Sequence, residues 1–134
     1  MKYEVNFAEA AQIFNAVAKV EEAVKNFKEA DAAFNEKDSA FDNEFAKYNY
    51  SFFRAPESLH TMFEEKSASM DVRDKAEAAY KRAAKKAVEV LGLDEKFYDE
   101  AEIIRDYKMG AYRADAFLYG ISRQAVRIAG YIKY

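Results

Sequence analysis

Glu57 and His60 are the residues whose spacing comes nearest to a metal-binding pattern. In a Glu-x-x-His motif the carboxylate and the imidazole share one helical face, as they do in the two-metal carboxylate sites of helical bundles. Such a site needs two of these pairs and two further glutamates. The chain has one histidine and no cysteine, so only an interface between two copies could supply the second pair. We predict no metal and no cofactor, and we interpret His60 as a surface residue.

Other catalytic patterns are missing from the sequence. It contains no Gly-x-Ser-x-Gly elbow, no second base that could activate a serine, and no glycine-rich loop for a phosphate. Adjacent carboxylates such as Glu21 and Glu22 point in different directions on a helix and form a solvated face instead of a catalytic pair. We therefore expect no enzymatic activity and no small-molecule substrate.

The last part of the chain, residues 112 to 134, interleaves cations with aromatic rings. Guanidinium groups beside rings suit phosphate contact with base stacking, and they equally suit a protein interface, where Arg and Tyr are enriched. A third interpretation is that the rings are core and the arginines pair with the acidic first half, whose net charge is −6 over residues 1 to 71. We predict a partner-binding surface formed by Arg113, Tyr119, Arg123, Arg127 and Tyr131.

The expected partner of this surface is a protein or a second copy of the chain. A net charge of −3 and an isoelectric point near 5.3 disfavour general nucleic-acid binding, because phosphate contacts dominate that affinity. We predict a non-enzymatic helical interaction or assembly module, and one hypothesis is that it is an accessory protein of a phage or mobile element that binds a host or viral protein. The alternative is a small nucleic-acid-associated protein that uses Arg113, Arg123 and Arg127.

The first 55 residues contain neither glycine nor proline, which predicts one long helix over about residues 6 to 53. Asn6 is the predicted N-cap, with Glu9 completing a capping box. A break between Asn35 and Ser39 is the alternative, although the apolar pattern keeps its phase there. That pattern is a heptad seam, with spacings of four and three residues. The seam positions are Ile13, Val17, Val20, Val24, Phe27, Asp31, Phe34, Asp38, Phe41, Phe45, Tyr48 and Phe52.

Two further helices complete an all-α, single-domain prediction for residues 1 to 134. They span about residues 56 to 91, with Gly92 ending the helix, and about residues 94 to 130, capped by Asp94. Short connections give an elongated antiparallel three-helix bundle, coiled-coil-like, in up-down-up order. Gly110 and Gly120 lie inside the third helix, where we expect them to offer a small-residue surface to the bulky rings of the first helix.

Two hypotheses about association follow from this bundle. If the first helix turns near residue 55, Asp38 lies level with Arg73 and Arg113, and these residues, with Asp31 as the other seam aspartate, form a structural polar layer.

A first helix of about 47 residues would also exceed its partner of about 36 residues by roughly 15 Å. Ile13, Phe14 and Val17 would then overhang as partner-binding surface. No stretch is typical of a signal peptide or of a membrane span of about 18 apolar residues, so we expect no membrane partner and a cytoplasmic protein, in the host cytoplasm if viral.

Overall fold

The computed structural model describes residues 5–130 of the chain. Of these residues 87% lie in helices and none in a strand, so the all-α prediction is confirmed. No helix in this range combines the length and the apolar character needed to cross a membrane. The α-helices are α1 (Phe7–Ala46), α2 (Glu57–Leu91), α3 (Tyr98–Lys108) and α4 (Ala114–Ala129), with short 3₁₀ turns at Phe52–Arg54 and Gly110–Arg113.

The residues form two compact units, and α1 and α2 contribute to both. The terminal unit comprises Met1–Lys25 and Ala78–Tyr134, of which residues 5–25 and 78–130 are described. The hairpin unit is Asn26–Glu77.

The long first helix begins as predicted and ends earlier than predicted. The Glu9 amide donates to Oδ1 of Asn6 at 2.9 Å, so Asn6 is the N-cap. There is no break between residues 35 and 39, but α1 stops at Ala46 and not near residue 53. Asn49 and Tyr50 have φ angles of 52° and 57°, the left-handed conformation that commonly ends a helix. Asparagine tolerates this conformation better than most residues, so a helix end formed here without glycine or proline.

The predicted third helix is wrong, because two helices occupy its range. Gly110 has a φ of 70°, a value that ends α3 and that residues with a Cβ adopt only at a cost. The chain reverses there, and α4 runs back antiparallel to α3, as the pairing of Asp99 with Arg127 shows. The start is also later than predicted, at Tyr98, because Asp94 caps a short turn by accepting the Lys96 amide at 2.9 Å.

The core of the terminal unit joins all four helices. Small α2 side chains, Ala84 and Ala87, are fully buried in the same core as the large Phe117 of α4, a combination of small and large residues that suits close packing. Removing a buried ring of this kind typically costs about 3–5 kcal/mol. The larger members of the core are Ile13, Val17, Val20, Val24, Tyr80, Leu91, Ile103, Phe117, Ile121 and Ile128.

A cation lies between a carboxylate and a ring in the hairpin unit. Nζ of Lys66 lies 2.8 Å from Oδ1 of Asp38 and 4.8 Å from the centre of the Phe41 ring. The ring belongs to the buried side of α1, whereas Asp38 and Lys66 are partly exposed. One ammonium group therefore satisfies the aspartate in the apolar seam and covers the aromatic residue beside it.

The same arrangement recurs one heptad earlier on α1 and one heptad later on α2. Arg73 lies 3.9 Å from Asp31 and 4.3 Å from the centre of the Phe34 ring. Both ion pairs join residues that are equally distant from position 52, so α1 and α2 are antiparallel in one constant register through the hairpin unit. We call these two arrangements the cation layers.

The predicted polar layer of Asp38, Arg73 and Arg113 is therefore wrong. The prediction centred the hairpin near residue 55, which slides α2 along α1 by one heptad and places Arg73 beside Asp38. The earlier end of α1 moves the centre to residue 52, so Arg73 meets Asp31 instead. Arg113 lies in the terminal unit, where its Nε is 3.2 Å from Oδ1 of Asp106.

The observed register predicts which charges are energetically coupled. A double-mutant cycle with Asp38→Asn and Lys66→Met should give a coupling energy of about 0.2–1 kcal/mol, the usual range for partly exposed pairs. The matched cycle with Asp38→Asn and Arg73→Met should give about zero. Urea unfolding measures both cycles. A larger coupling with Arg73 would show that the hairpin has the slipped register.

Tyr80 is a buried tyrosine in the core of the terminal unit whose hydroxyl has no hydrogen-bond partner among the described residues. Burial raises the pKa of Tyr80 to about 12, and the nearby Asp106 carboxylate adds to the shift. The folded chain therefore holds this phenol neutral over a pH range in which the unfolded chain ionises it.

Replacing Tyr80 with Phe is expected to raise the free energy of unfolding by about 1 kcal/mol at neutral pH, because an unsatisfied buried hydroxyl is removed. The wild-type chain should lose up to about 1.4 kcal/mol of stability per pH unit between about pH 10 and 12, where only the unfolded tyrosine ionises. Y80F should lack this contribution. Urea unfolding at neutral and alkaline pH, with exposed Tyr112→Phe as control, measures both effects. Identical pH dependence in Y80F and wild type would contradict the assignment.

Candidate functional site

A groove of about 560 Å³ lies between α3 and α4 in the terminal unit. Its walls come from two antiparallel helices, so each wall carries the character of one helix face. The α3 wall is formed by Asp99, Glu102, Ile103 and Asp106, and the α4 wall by Ala116, Tyr119, Gly120, Arg123, Gln124, Val126 and Arg127. Three of the residues predicted to bind a partner, Tyr119, Arg123 and Arg127, are brought together here.

Gly120 marks a close contact between α3 and α4. A Cβ placed on Gly120 would lie 2.9 Å from Cγ1 of Ile103, closer than packed carbon atoms can lie. The prediction that Gly120 serves a close approach is right in kind, but the neighbour is α3 and not the first helix. For Gly110 the prediction is wrong, since its positive φ and not its packing requires glycine.

The two walls of the groove carry opposite charges. Asp99, Glu102 and Asp106 follow one another at spacings of three and four residues, so they form one acidic row along α3. Arg123 and Arg127 are four residues apart and form a basic row along α4. We call these the acidic rim and the basic rim. The groove is also lined by the apolar Ile103 and by two positions with little or no side chain, Ala116 and Gly120.

Some of the charged residues on the two rims already form ion pairs within the chain. Arg127 lies 3.0 Å from Asp99, and Arg113 lies 3.2 Å from Asp106. Arg127 and Asp99 are both more than half exposed, and such a pair contributes only about 0–1 kcal/mol. The pair of Arg127 and Asp99 is therefore weak enough to exchange with a partner, and both pairs reduce the positive charge that a phosphate backbone would meet.

Arg123 differs from the other cations of the site. Its guanidinium carbon lies 5.6 Å from the centre of the Tyr119 ring, and no ion pair of Arg123 occurs within residues 5–130. Tyr119 and Val126, one turn to either side, are 65% and 68% exposed. The outer edge of α4 thus presents an aromatic ring, a guanidinium group and an aliphatic side chain in a row, the residue classes of protein interfaces.

Glu102 occupies the middle of the acidic rim and has exposed partners. The Tyr98 hydroxyl donates a hydrogen bond to the Glu102 carboxylate, which raises the pKa of Tyr98. Arg105 lies 4.0 Å away at the next turn of α3. Tyr98 and Arg105 are themselves exposed, so Glu102 has no buried partner and can reorient toward a ligand.

The remaining predicted site residues do not form a surface. Ile13 and Val17 are buried in the core of the terminal unit, so the predicted apolar overhang is wrong at both positions. The reason is that α2 and α4 side chains cover this stretch of α1, where the prediction had left it without a neighbour. Phe14 is 44% exposed. Tyr131 lies outside the described residues.

The acidic rim is the feature of the candidate site that the sequence interpretation missed. Its signal was present, because Asp99, Glu102 and Asp106 have the spacing of one helical face. A continuous helix from residue 94 to 130 keeps this face away from Arg123 and Arg127, so their opposition became visible only once the chain was seen to reverse at Gly110.

A second surface missed from the sequence lies at the tip of the hairpin unit. The Phe52 ring contacts both Phe45 and His60 in tilted arrangements, with ring centres 4.7 Å apart for the two phenylalanines and 5.0 Å apart for Phe52 and His60. Phe53 beside them is fully exposed. His60 is thus a member of an aromatic cluster, and no group of three potential metal ligands occurs among residues 5–130.

Comparison of the chain with protein-family models, with curated proteins and with solved structures finds no match.

The contact at Gly120 predicts that the substitution Gly120→Ala changes the free energy of unfolding in opposite directions in two backgrounds. Gly120→Ala should lower the free energy of unfolding by about 1 kcal/mol, since overpacking costs about 1–3 kcal/mol and better helix propensity returns about 1 kcal/mol. In an Ile103→Ala background the clash is absent, so the same substitution should stabilise the protein by up to about 1 kcal/mol. Chemical denaturation of the four chains measures this. Equal effects in the two backgrounds would contradict the close approach.

Proposed function

We propose that the chain is a non-enzymatic protein-interaction module whose binding site is the groove between α3 and α4. The observation that carries the proposal is the opposition of the acidic and basic rims across an apolar floor, beside the exposed Tyr119 and Val126. A groove between two helices accepts a third helix through an apolar stripe, and charges along its edges set orientation.

The chemistry of the rims defines the partner. A complementary helix carries small or aliphatic residues on the face that meets Ile103 and Gly120. It has basic residues along the edge that meets the acidic rim and acidic residues along the edge that meets Arg123 and Arg127. Reversing such a helix would set like charges against each other, at a cost of several kcal/mol, so the site selects direction as well as composition.

The proposal includes the finer architecture expected for the module. The cation layers, which repeat after seven residues on both α1 and α2, support coiled-coil-like pairing within the hairpin unit. Within the terminal unit, we propose that the antiparallel pair of α3 and α4 takes the place of the predicted third helix. We propose that α3 and α4 are the part of the module that binds the partner, because they form a charged groove, whereas the charges of the cation layers pair within the hairpin unit.

Nucleic-acid binding through Arg113, Arg123 and Arg127 is the alternative, and it has less support. Two of these arginines have ion pairs with Asp106 and Asp99, and the acidic rim would repel a phosphate backbone. Only Arg123 beside Tyr119 has the geometry of a stacking site. DNA and RNA binding titrated against salt tests this alternative, which requires an affinity that falls steeply with salt concentration.

Site-specific photo-crosslinking tests the proposed site. A photo-reactive phenylalanine analogue at position 119 should give a discrete protein adduct in cells that naturally make the chain, because Tyr119 borders the groove. The analogue at position 85, an exposed position of α2 in the same unit, is the matched control and should give none. Peptide mapping should place the link on a helical surface, formed by one helix or by a helix pair, that has apolar residues between oppositely charged edges.

Charge reversal adds a second control. Arg123→Glu combined with the analogue at position 119 should reduce the adduct at least tenfold, since it places a carboxylate in the basic rim. Equal adducts from positions 119 and 85 would contradict the proposal. A nuclease-sensitive adduct would favour the nucleic-acid alternative instead.

A further inference from the structure

We infer that the partner of the groove is the same helix pair from a second copy of the chain, so that two copies form a symmetric dimer. This inference rests on the proposed function of the groove and names its occupant. The argument is charge complementarity: one copy presents an acidic and a basic rim side by side, and a second copy presents the same two rims for pairing.

Only one of two symmetric orientations satisfies these charges. A two-fold axis that runs parallel to α3 and α4 places α3 of one copy over α4 of the other, so each acidic rim faces a basic rim. A two-fold axis that crosses the helices at right angles places α3 over α3, and carboxylates then face carboxylates. Isologous interfaces use one surface twice, and here only the parallel axis makes that surface self-complementary.

The levels along the helices identify the contacts. Within one chain Asp99 is level with Arg127, and Ile103 is level with Gly120. A parallel two-fold axis preserves these levels between copies, which brings Glu102 of one copy within about one residue of Arg123 of the other, a rise of about 1.5 Å. The symmetry makes this pair twice. Arg123 is suited to it, because its contact within the described chain is the Tyr119 ring and not a carboxylate.

Apolar side chains supply the remaining contact. Tyr119 and Val126 flank Arg123 on the outer edge of α4, and both are more than half exposed. In the dimer they lie over the α3 wall of the second copy, where Ile103 belongs to the floor. The Glu102 and Arg123 pairs set the direction, and burial of the tyrosine and valine side chains provides the apolar free-energy gain.

A charge-swap experiment on the full chain tests the dimer. Light scattering coupled to size exclusion should show a dimer for wild type at micromolar to millimolar concentration. Arg123→Glu and Glu102→Arg should each raise the dissociation constant at least tenfold, because each sets two like-charge pairs in the interface. An equimolar mixture of the two variants should restore the dimer, since both cross pairs are then complementary, and so should the double variant.

Matched controls separate this effect from folding and from net charge. Lys85→Glu and Glu89→Arg make the same charge changes at exposed positions of α2 and should leave the dimer unchanged. Circular dichroism should be the same for all variants. A monomeric wild type at the highest concentration, or a mixture that stays monomeric, would overturn the inference.

The outcomes also separate this inference from the proposed function. If the purified chain is monomeric but position 119 still forms an adduct with a different protein, the dimer is wrong and the groove remains a protein-binding site. If the purified chain is monomeric and position 119 forms no adduct, both are wrong. If the mixture of variants restores the dimer, both are supported together.

Discussion

The missing side chain at Gly120 is the constraint on which the candidate site depends. With no Cβ at this position, Ile103 can lie directly against the α4 backbone, and α3 and α4 come close enough for Asp99 to meet Arg127. A methyl group there would force the Ile103 side chain or the helix backbones to shift, which would disturb the contact between the two walls of the groove. The contact between Ile103 and Gly120 thus holds the two helices side by side, and the groove between them has one acidic and one basic edge.

The hairpin unit is stabilised by a combination of ion pairs and buried aromatic rings. Its ion pairs are partly exposed and individually weak, so they do not account for its stability alone. Each cation also covers a ring of the buried seam, Phe41 or Phe34. The aspartates that interrupt the seam therefore favour one register: an apolar residue at either position could also pack in the seam, but it would not distinguish the observed register from one shifted by a heptad.

Much of the helical pattern could be predicted from the sequence, because it depends on local chemistry. Asn6 caps α1, Gly92 ends α2 with a positive φ, and the seam residues Val20 and Phe41 are buried. The register could not be predicted in the same way. A heptad pattern looks the same after a shift of seven residues, so Asp38 opposite Arg73 and Asp38 opposite Lys66 fit the periodicity equally.

The turns that decide between such alternatives have only weak signals in the sequence. Asn49 and Tyr50 adopt left-handed backbone conformations without glycine, and only the folded turn distinguishes them from helical residues. Gly110 is a glycine within an amphipathic pattern that continues on both sides, so periodicity alone joined α3 to α4. For this reason only half of the candidate site could be predicted from the sequence. The basic rim could be predicted, but the position of the acidic rim opposite it depends on the reversal of the chain at Gly110.

The two cation layers give the hairpin unit a repeating construction, with a consequence for how this chain can change length. Inserting or deleting one heptad in α1 together with one heptad in α2 adds or removes a layer and preserves every neighbour of those that remain. An insertion in one helix alone mismatches all of them. Natural or engineered variants should therefore differ in this unit by paired steps of seven residues, with the turn at Asn49 and Tyr50 carried along unchanged.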